Sequence, residues 1–147
     1  HAASAQGLYV INRINGISQE SLFDVEKFPI NIYTSPEMAQ VGLTEQQASQ
    51  LNGKYKISEF PLSANGKALT EGETEGVVRI ISDRKYGEIL GVQIVSPNAT
   101  DMIAEATLVM QMEGTVHDIA RTVHAHPTIS EIFMEAGFDA FDQAIHK

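Results

Sequence analysis

The sequence predicts an α+β fold, an antiparallel β-sheet with helices packed on one face, and a change of period within it is the first reason. Residues 76–83 and 88–96 set Val78 and Ile80, then Leu90, Val92 and Ile94, at the two-residue spacing of a sheet face. Beyond Ser96 the spacing lengthens, and Met102, Ile103, Ala106, Val109 and Met110 fall on one stripe of a helix. The second reason is order. Strands in succession followed by helices in succession suit an antiparallel layer, whereas strict alternation would build a parallel sheet.

Along the chain, residues 2–14 read as a helix through Ala2, Leu8, Ile11 and Ile14, stopped by Asn15-Gly16. A polar connection runs to about Lys27. A strand follows Pro29, through Ile30 to Thr34, closed by Ser35-Pro36. Thr44-Glu45-Gln46-Gln47 has the form of a capping box and opens a short helix to about Leu51. Strands are expected over 54–62, 76–83 and 88–96, the last two joined at Arg84-Lys85-Tyr86-Gly87, where glycine suits a hairpin. Glu71, Glu73 and Glu75 read as a solvated loop between strands, since the Asp/Asn-rich pattern of a calcium loop is missing. Asn98 can cap the next helix and Gly114 can stop it. Thr115-Val116-His117-Asp118 resembles another helix start. A final helix is expected from about Thr128 to Ala144, with Ile132, Phe133, Ala136 and Phe141 inward. Met102, Met110, Met112 and Met134 fall on helices, where flexible core filling is the default role.

The 147 residues fit one domain, and 43% hydrophobic with 20% charged is ordinary for a globular chain. Ten Lys and Arg against nineteen Asp and Glu give a net charge of -9, which opposes binding to nucleic acid or anionic lipid. No apolar run approaches the roughly 20 residues that span a bilayer. The absence of cysteine excludes a disulfide framework or thiolate metal site within these residues. There is no Gly-x-Gly-x-x-Gly loop and no phosphate-binding Gly-Lys-Ser/Thr. The chain opens at His1 with neither a basic stretch nor an apolar signal core, so it reads as a fragment, and a cytoplasmic location is expected.

His124-Ala125-His126-Pro127-Thr128-Ile129-Ser130-Glu131 is the segment that promises chemistry. An imidazole exchanges protons near neutral pH, and a carboxylate on its far nitrogen would fix its tautomer. Pro127 favours an extended His126 and aims the ring away from the following helix. Thr128-Ile129-Ser130-Glu131 is equally a capping box, in which Glu131 reaches back to the Thr128 backbone and ignores His126. On spacing alone the two roles of Glu131 are evenly matched. A metal site on His117, His124 and His126 lacks an i, i+4 pair and a cysteine framework, so none is expected.

Residues 28–147 resemble the C-terminal interface domain of the FAD-dependent pyridine nucleotide-disulfide oxidoreductases, nearest to the dihydrolipoamide dehydrogenase branch. Tyr33-Thr34-Ser35-Pro36-Glu37 with Val41-Gly42-Leu43-Thr44-Glu45 resembles the opening of that domain. Gly91-Val92-Gln93-Ile94-Val95, Asn98-Ala99 and Ile103-Ala104-Glu105-Ala106 resemble its late strand and helix. The His124–Thr128 segment with Glu131 resembles its active-site signature. The resemblance implies an acid-base at His126 oriented by Glu131, acting across a homodimer on the redox disulfide and flavin of the other subunit. It implies that His126 and Pro127 lie against that flavin. His1-Ala2-Ala3 resembles the end of a preceding FAD domain, so His1 is an expected flavin contact, residues 1–26 the tail of that domain and 27–147 the interface domain. FAD and NAD serve the whole enzyme, with a lipoyl-bearing protein of a 2-oxo acid dehydrogenase complex as partner. With the FAD and NAD domains and the Cys-x-x-x-x-Cys pair absent, this chain alone is expected to hold no FAD stably and to perform no turnover. The alternatives are the same domain of a glutathione reductase-like enzyme, or a dimerisation module without chemistry.

Overall fold

In the computed structural model, which describes residues 1–17 and 24–147, the regular elements of strand and α-helix number eleven, and their strands form a single five-stranded sheet. In chain order they are α1 (Ala2–Ile14), β1 (Ile30–Ile32), β2 (Glu37–Gly42), α2 (Glu45–Ala48), β3 (Tyr55–Pro61), α3 (Gly66–Glu71), β4 (Val77–Asp83), β5 (Ile89–Ser96), α4 (Ala99–Gln111), α5 (Val116–Arg121) and α6 (Glu131–Asp139). The strands lie in the order β1-β2-β5-β4-β3, and every neighbouring pair is antiparallel. The expected α+β class and its antiparallel sheet are therefore present.

Alternation along the strands selects the covered face. Ala39 and Val41 of β2, Val92 and Ile94 of β5, Val78 and Ile80 of β4 and Phe60 of β3 are all buried. They meet Met102, Ile103, Ala106 and Met110 from α4, and Ile132, Phe133 and Ala136 from α6, in one continuous core. Helix α4 lies over β2 and β5, α6 lies over β3 and β4, and α5 packs on α6. The α5–α6 contact is backbone-close: a Cβ at Gly137 would stand 2.8 Å from the Ala120 nitrogen. The opposite face is mostly half-buried, with Ile81 fully buried on it. There Arg79 bridges Glu45 of α2 at 2.6 Å and Glu59 of β3 at 3.0 Å.

Several expectations need correction. Residues 37–42 form a strand that the apolar pattern does not announce, because only Ala39 and Val41 supply its buried side. The strand after Pro29 stops at Ile32, two residues early. Glu71 ends a short helix, α3, whose first turn is capped by the Asn65 side chain accepting the Ala68 N–H at 2.9 Å. Glu73 and Glu75 are exposed, as a solvated loop requires. Asn98 sits at the start of α4 without a side-chain cap. Glu37 takes that role from the adjacent strand β2, accepting the Thr100 N–H at 3.0 Å and its hydroxyl at 2.7 Å. Those two bonds, hydroxyl first, hold the Glu37 carboxyl below the usual range. Met112 terminates α4 at 74% exposure instead of filling the core. Helix α6 is shorter at both ends than the expected 128–144. Part of the expected polar connection, residues 18–23, lies outside the described residues.

Helix α1 matches its expected span and its Asn15 stop. The capping box at Thr44 is formed, with Gln47 accepting the Thr44 N–H at 2.8 Å. That at Thr115 is formed through Asp118, which accepts the Thr115 N–H at 2.8 Å.

Candidate acid-base site

The segment between α5 and α6 is tied down at each end before any chemistry is considered. Its start is the C-terminus of α5, where Thr122 adopts an extended backbone. Its finish is anchored by Ile129, 5% exposed, and by Ile132 and Phe133, both fully buried at the head of α6. Between them the Thr128 hydroxyl donates to the Ala125 carbonyl at 2.6 Å. The Asn65 amide donates to the Thr128 carbonyl at 3.0 Å, so one side chain caps α3 and also pins this loop. His126 is joined to Pro127 by a cis peptide bond.

On this support His126 projects outward with its side chain 78% exposed, while Glu131 is 20% exposed. His126 Nδ1 lies 2.9 Å from Glu131 Oε1. The second carboxylate oxygen of Glu131 accepts the Thr128 N–H at 2.8 Å. Glu131 thus makes both contacts, one with each oxygen: it reaches back to the Thr128 backbone and also meets His126. Partial burial pushes the Glu131 carboxyl up, but the Thr128 N–H and the imidazoles of His126 and His124 more than offset this, holding it below the usual range. An ionised Glu131 accepts the Nδ1–H, which leaves Nε2 of a neutral His126 as a proton acceptor facing outward. That nitrogen makes no hydrogen bond among the described residues.

Other expected residues are distributed differently. His117 stacks on Phe141 with ring centroids 4.2 Å apart, and Phe141 closes the edge of the core. His124 pairs with Glu105. The three histidines therefore serve separate partners, and among the described residues no three His, Cys, Asp or Glu side chains gather as metal ligands. His1 is exposed at the head of α1, where its carbonyl accepts the Ala5 N–H and its ring makes no cap.

Two features escaped the sequence. A cavity of about 220 Å³ adjoins the pair, with His126, Glu131, Met134 and Asn65 on its wall. Glu135, one turn beyond Glu131 and only 3% exposed, lines it too. Its carboxylate accepts the Ile145 N–H at 2.8 Å and contacts His146 Nδ1 at 2.6 Å, drawing the C-terminal segment to the cavity. A glutamate at the i+4 position of an otherwise apolar helix face was the available signal.

Comparison with known proteins agrees with this architecture. Dihydrolipoyl dehydrogenase from Thermus scotoductus is 43% identical over 146 residues, covering 99% of this chain and 31% of that protein. The Bacillus subtilis dihydrolipoyl dehydrogenase is 42% identical with the same coverage. The mitochondrial enzyme of Pisum sativum is 38% identical, over 99% of this chain and 29% of its own length. Among solved structures, LpdA from Mycobacterium tuberculosis superposes with a TM-score of 0.84 at 25% identity, covering 92% of this chain and 29% of that one. The HOCl-induced flavoprotein disulfide reductase RclA from Escherichia coli gives a TM-score of 0.75 at 25% identity, over 84% of this chain and 28% of its own. The chain spans less than a third of the dihydrolipoyl dehydrogenases named here. Residues 28–137 match the family described as the pyridine nucleotide-disulphide oxidoreductase dimerisation domain, and the chain belongs to that family.

Proposed function

We propose that the chain is the dimerisation domain of a dihydrolipoyl dehydrogenase and supplies His126 as acid-base and Glu131 as its orienting carboxylate to an active site completed by a second subunit. The observation that carries this reading is the His126–Glu131 contact of 2.9 Å on an exposed, well-anchored loop. In the proposed first step, His126 Nε2 takes the proton of a dihydrolipoyl thiol. The new imidazolium shares its Nδ1–H with Glu131, and the thiolate attacks a redox disulfide outside this chain, displacing one of its sulfurs. The displaced sulfur takes up the proton held by His126, which then removes the proton of the second thiol. The second thiolate attacks the lipoyl sulfur of the mixed disulfide, closing the lipoyl disulfide and releasing the other enzyme sulfur as a thiolate. A thiol of pKa about 8.5 is mostly protonated at neutral pH and nucleophilic only as thiolate, so a positioned base contributes about 10²–10⁴-fold.

FAD, where bound, carries the electrons from the reduced sulfurs to NAD. The residues present fit a flat ring: Val123 is 90% exposed, and Ala125, His126 and Pro127 stand open beside it. In this reading His126 and Pro127 face the flavin of the other subunit, His1 faces the flavin of its own, and residues 1–26 end the FAD domain. Residues 27–147 form the homodimer interface, the substrate arrives on a lipoyl-bearing protein of a 2-oxo acid dehydrogenase complex, and the enzyme works in the cytoplasm. The 147 residues alone bind no FAD stably and turn nothing over.

The test is His126→Gln in the full-length protein, assayed with dihydrolipoamide and NAD. The expected result is a fall in turnover of at least about 10²-fold with flavin absorbance retained. Near-normal turnover would sink the assignment. Preference for glutathione over dihydrolipoamide would move the chain to the glutathione reductase-like branch.

A further inference from the structure

Two residues before His126 lies a second imidazole in an opposite setting. His124 has a side chain only 6% exposed. Its Nδ1 lies 3.0 Å from the Thr122 carbonyl oxygen, and its Nε2 lies 2.8 Å from Glu105 Oε1 on α4. Both partners are acceptors with no proton to give, a carbonyl and a carboxylate. A neutral imidazole owns one N–H and would set its bare nitrogen against an oxygen, whereas an imidazolium satisfies both contacts. We propose that His124 is a positioning residue for the His126 site: clamped as an imidazolium between α4 and the end of α5, it anchors the loop that carries His126 and sets a fixed positive charge beside Glu131.

The electrostatics agree. The hydrogen bond to Glu105 raises the pKa of His124 above its ordinary value, against the cost of burial, and the charges of Glu105 and Glu131 and the Thr122 carbonyl add to it. In return, His124 helps to hold the Glu131 carboxyl low. The groups that face the ring are Glu105 from α4, the Thr122 carbonyl from the end of α5 and Glu131 from α6. The placement also ties three elements together, so α4, which packs on β2 and β5, is coupled to the loop above β3 and β4. His124 does not touch substrate in this account. It acts through Glu131 and through the position of the backbone two residues on.

The inference rests on the proposed acid-base role of His126, and the test separates the two. In the full-length protein His124→Gln, Glu105→Gln, their combination and His126→Gln are compared for flavin content, KM, kcat and the pH profile of kcat. Removing a nearby cation lets neighbouring groups keep their protons to higher pH, so the low-pH limb of the profile rises in His124→Gln and in Glu105→Gln. The expected shift is about half a pH unit or more, with kcat down about tenfold, KM unchanged, and no further loss in the double variant. The Glu105 side chain is 31% exposed and lies outside the core, so Glu105→Gln decides the question should His124→Gln fail to fold. In the unmutated protein, the ring ¹⁵N shifts of His124 are expected to be mostly those of an imidazolium at about pH 6.5, where a free imidazole is half protonated, and a mostly neutral ring there overturns the proposal. Wild-type profiles in both single variants, alongside an inactive His126→Gln, overturn it while leaving the acid-base reading intact. Near-normal turnover in His126→Gln overturns that reading and this inference with it.

Discussion

The His124–Glu105 and His126–Glu131 pairs use the same two side-chain types at nearly the same separation, 2.8 and 2.9 Å, two residues apart in the chain. They differ in what remains unsatisfied. At His124 both ring nitrogens are occupied and the side chain is buried; at His126 one nitrogen is occupied and the ring stands 78% exposed. A saturated, buried imidazole is held in one protonation state and lends rigidity. An imidazole held by one nitrogen keeps its orientation and can still exchange a proton at the other. Burial and hydrogen-bond count, more than residue identity, separate an anchor from an acid-base.

The largest effect expected from this contrast is on catalysis at the exposed ring. His126→Gln in the full-length protein is expected to cost about 10²–10⁴-fold in turnover, yet to shift stability by no more than about 0.5 kcal/mol, since an exposed side chain contributes little packing. His124→Gln reverses the ranking. It leaves the Glu105 carboxylate short of its charged partner and costs about 1–3 kcal/mol of stability by urea denaturation, with the smaller loss of turnover. A larger destabilisation at position 126 than at 124 would break the distinction.

Glu131→Gln sharpens it within one residue. The amide oxygen of Gln can still accept the Thr128 N–H, so the cap of α6 is retained and only the small contribution of the charge to stability is lost. The side chain no longer carries the negative charge that complements a protonated His126, and turnover is expected to fall by about 10-fold or more. Equal activity with equal stability would show that Glu131 serves only as a cap.

Much of this was legible in the chain. Alternation placed β3, β4 and β5, the longer period placed α4, and paired Thr-x-x-Gln and Thr-x-x-Asp patterns marked two helix starts. The His126–Glu131 contact was one of two readings that the five-residue spacing left evenly matched, and the resemblance favoured it. What escaped depends on distance. Glu37 caps α4 from 63 residues away, Asn65 reaches Thr128 across the same separation, and Glu105 meets His124 across 19. Such contacts exist only once the sheet has set α4 and α6 side by side. Helix α3 was missed for another reason: its six residues begin at Gly66, a poor helix former, although Asn65 before it and Gly72 after it are both capping residues.

The smallest expected effects are in the pH dependence of stability, where the two pairs should part company. His124 has a folded pKa raised above its unfolded value of about 6.5, so its contribution is fully present below that pH and is lost as pH rises through the folded value. Glu131 has a lowered folded pKa, so its contribution is present above an unfolded value of about 4.3 and is lost as pH falls through the folded one. Denaturation of the unmutated protein and His124→Gln across pH 5 to 9 is therefore expected to give curves that lie furthest apart on the acid side and converge as pH rises. The difference between the unmutated protein and Glu131→Gln should run the other way, shrinking below about pH 4. A His124→Gln gap that widens with pH would mean that the buried ring is neutral in the folded protein, and the anchor would then owe its effect to packing alone.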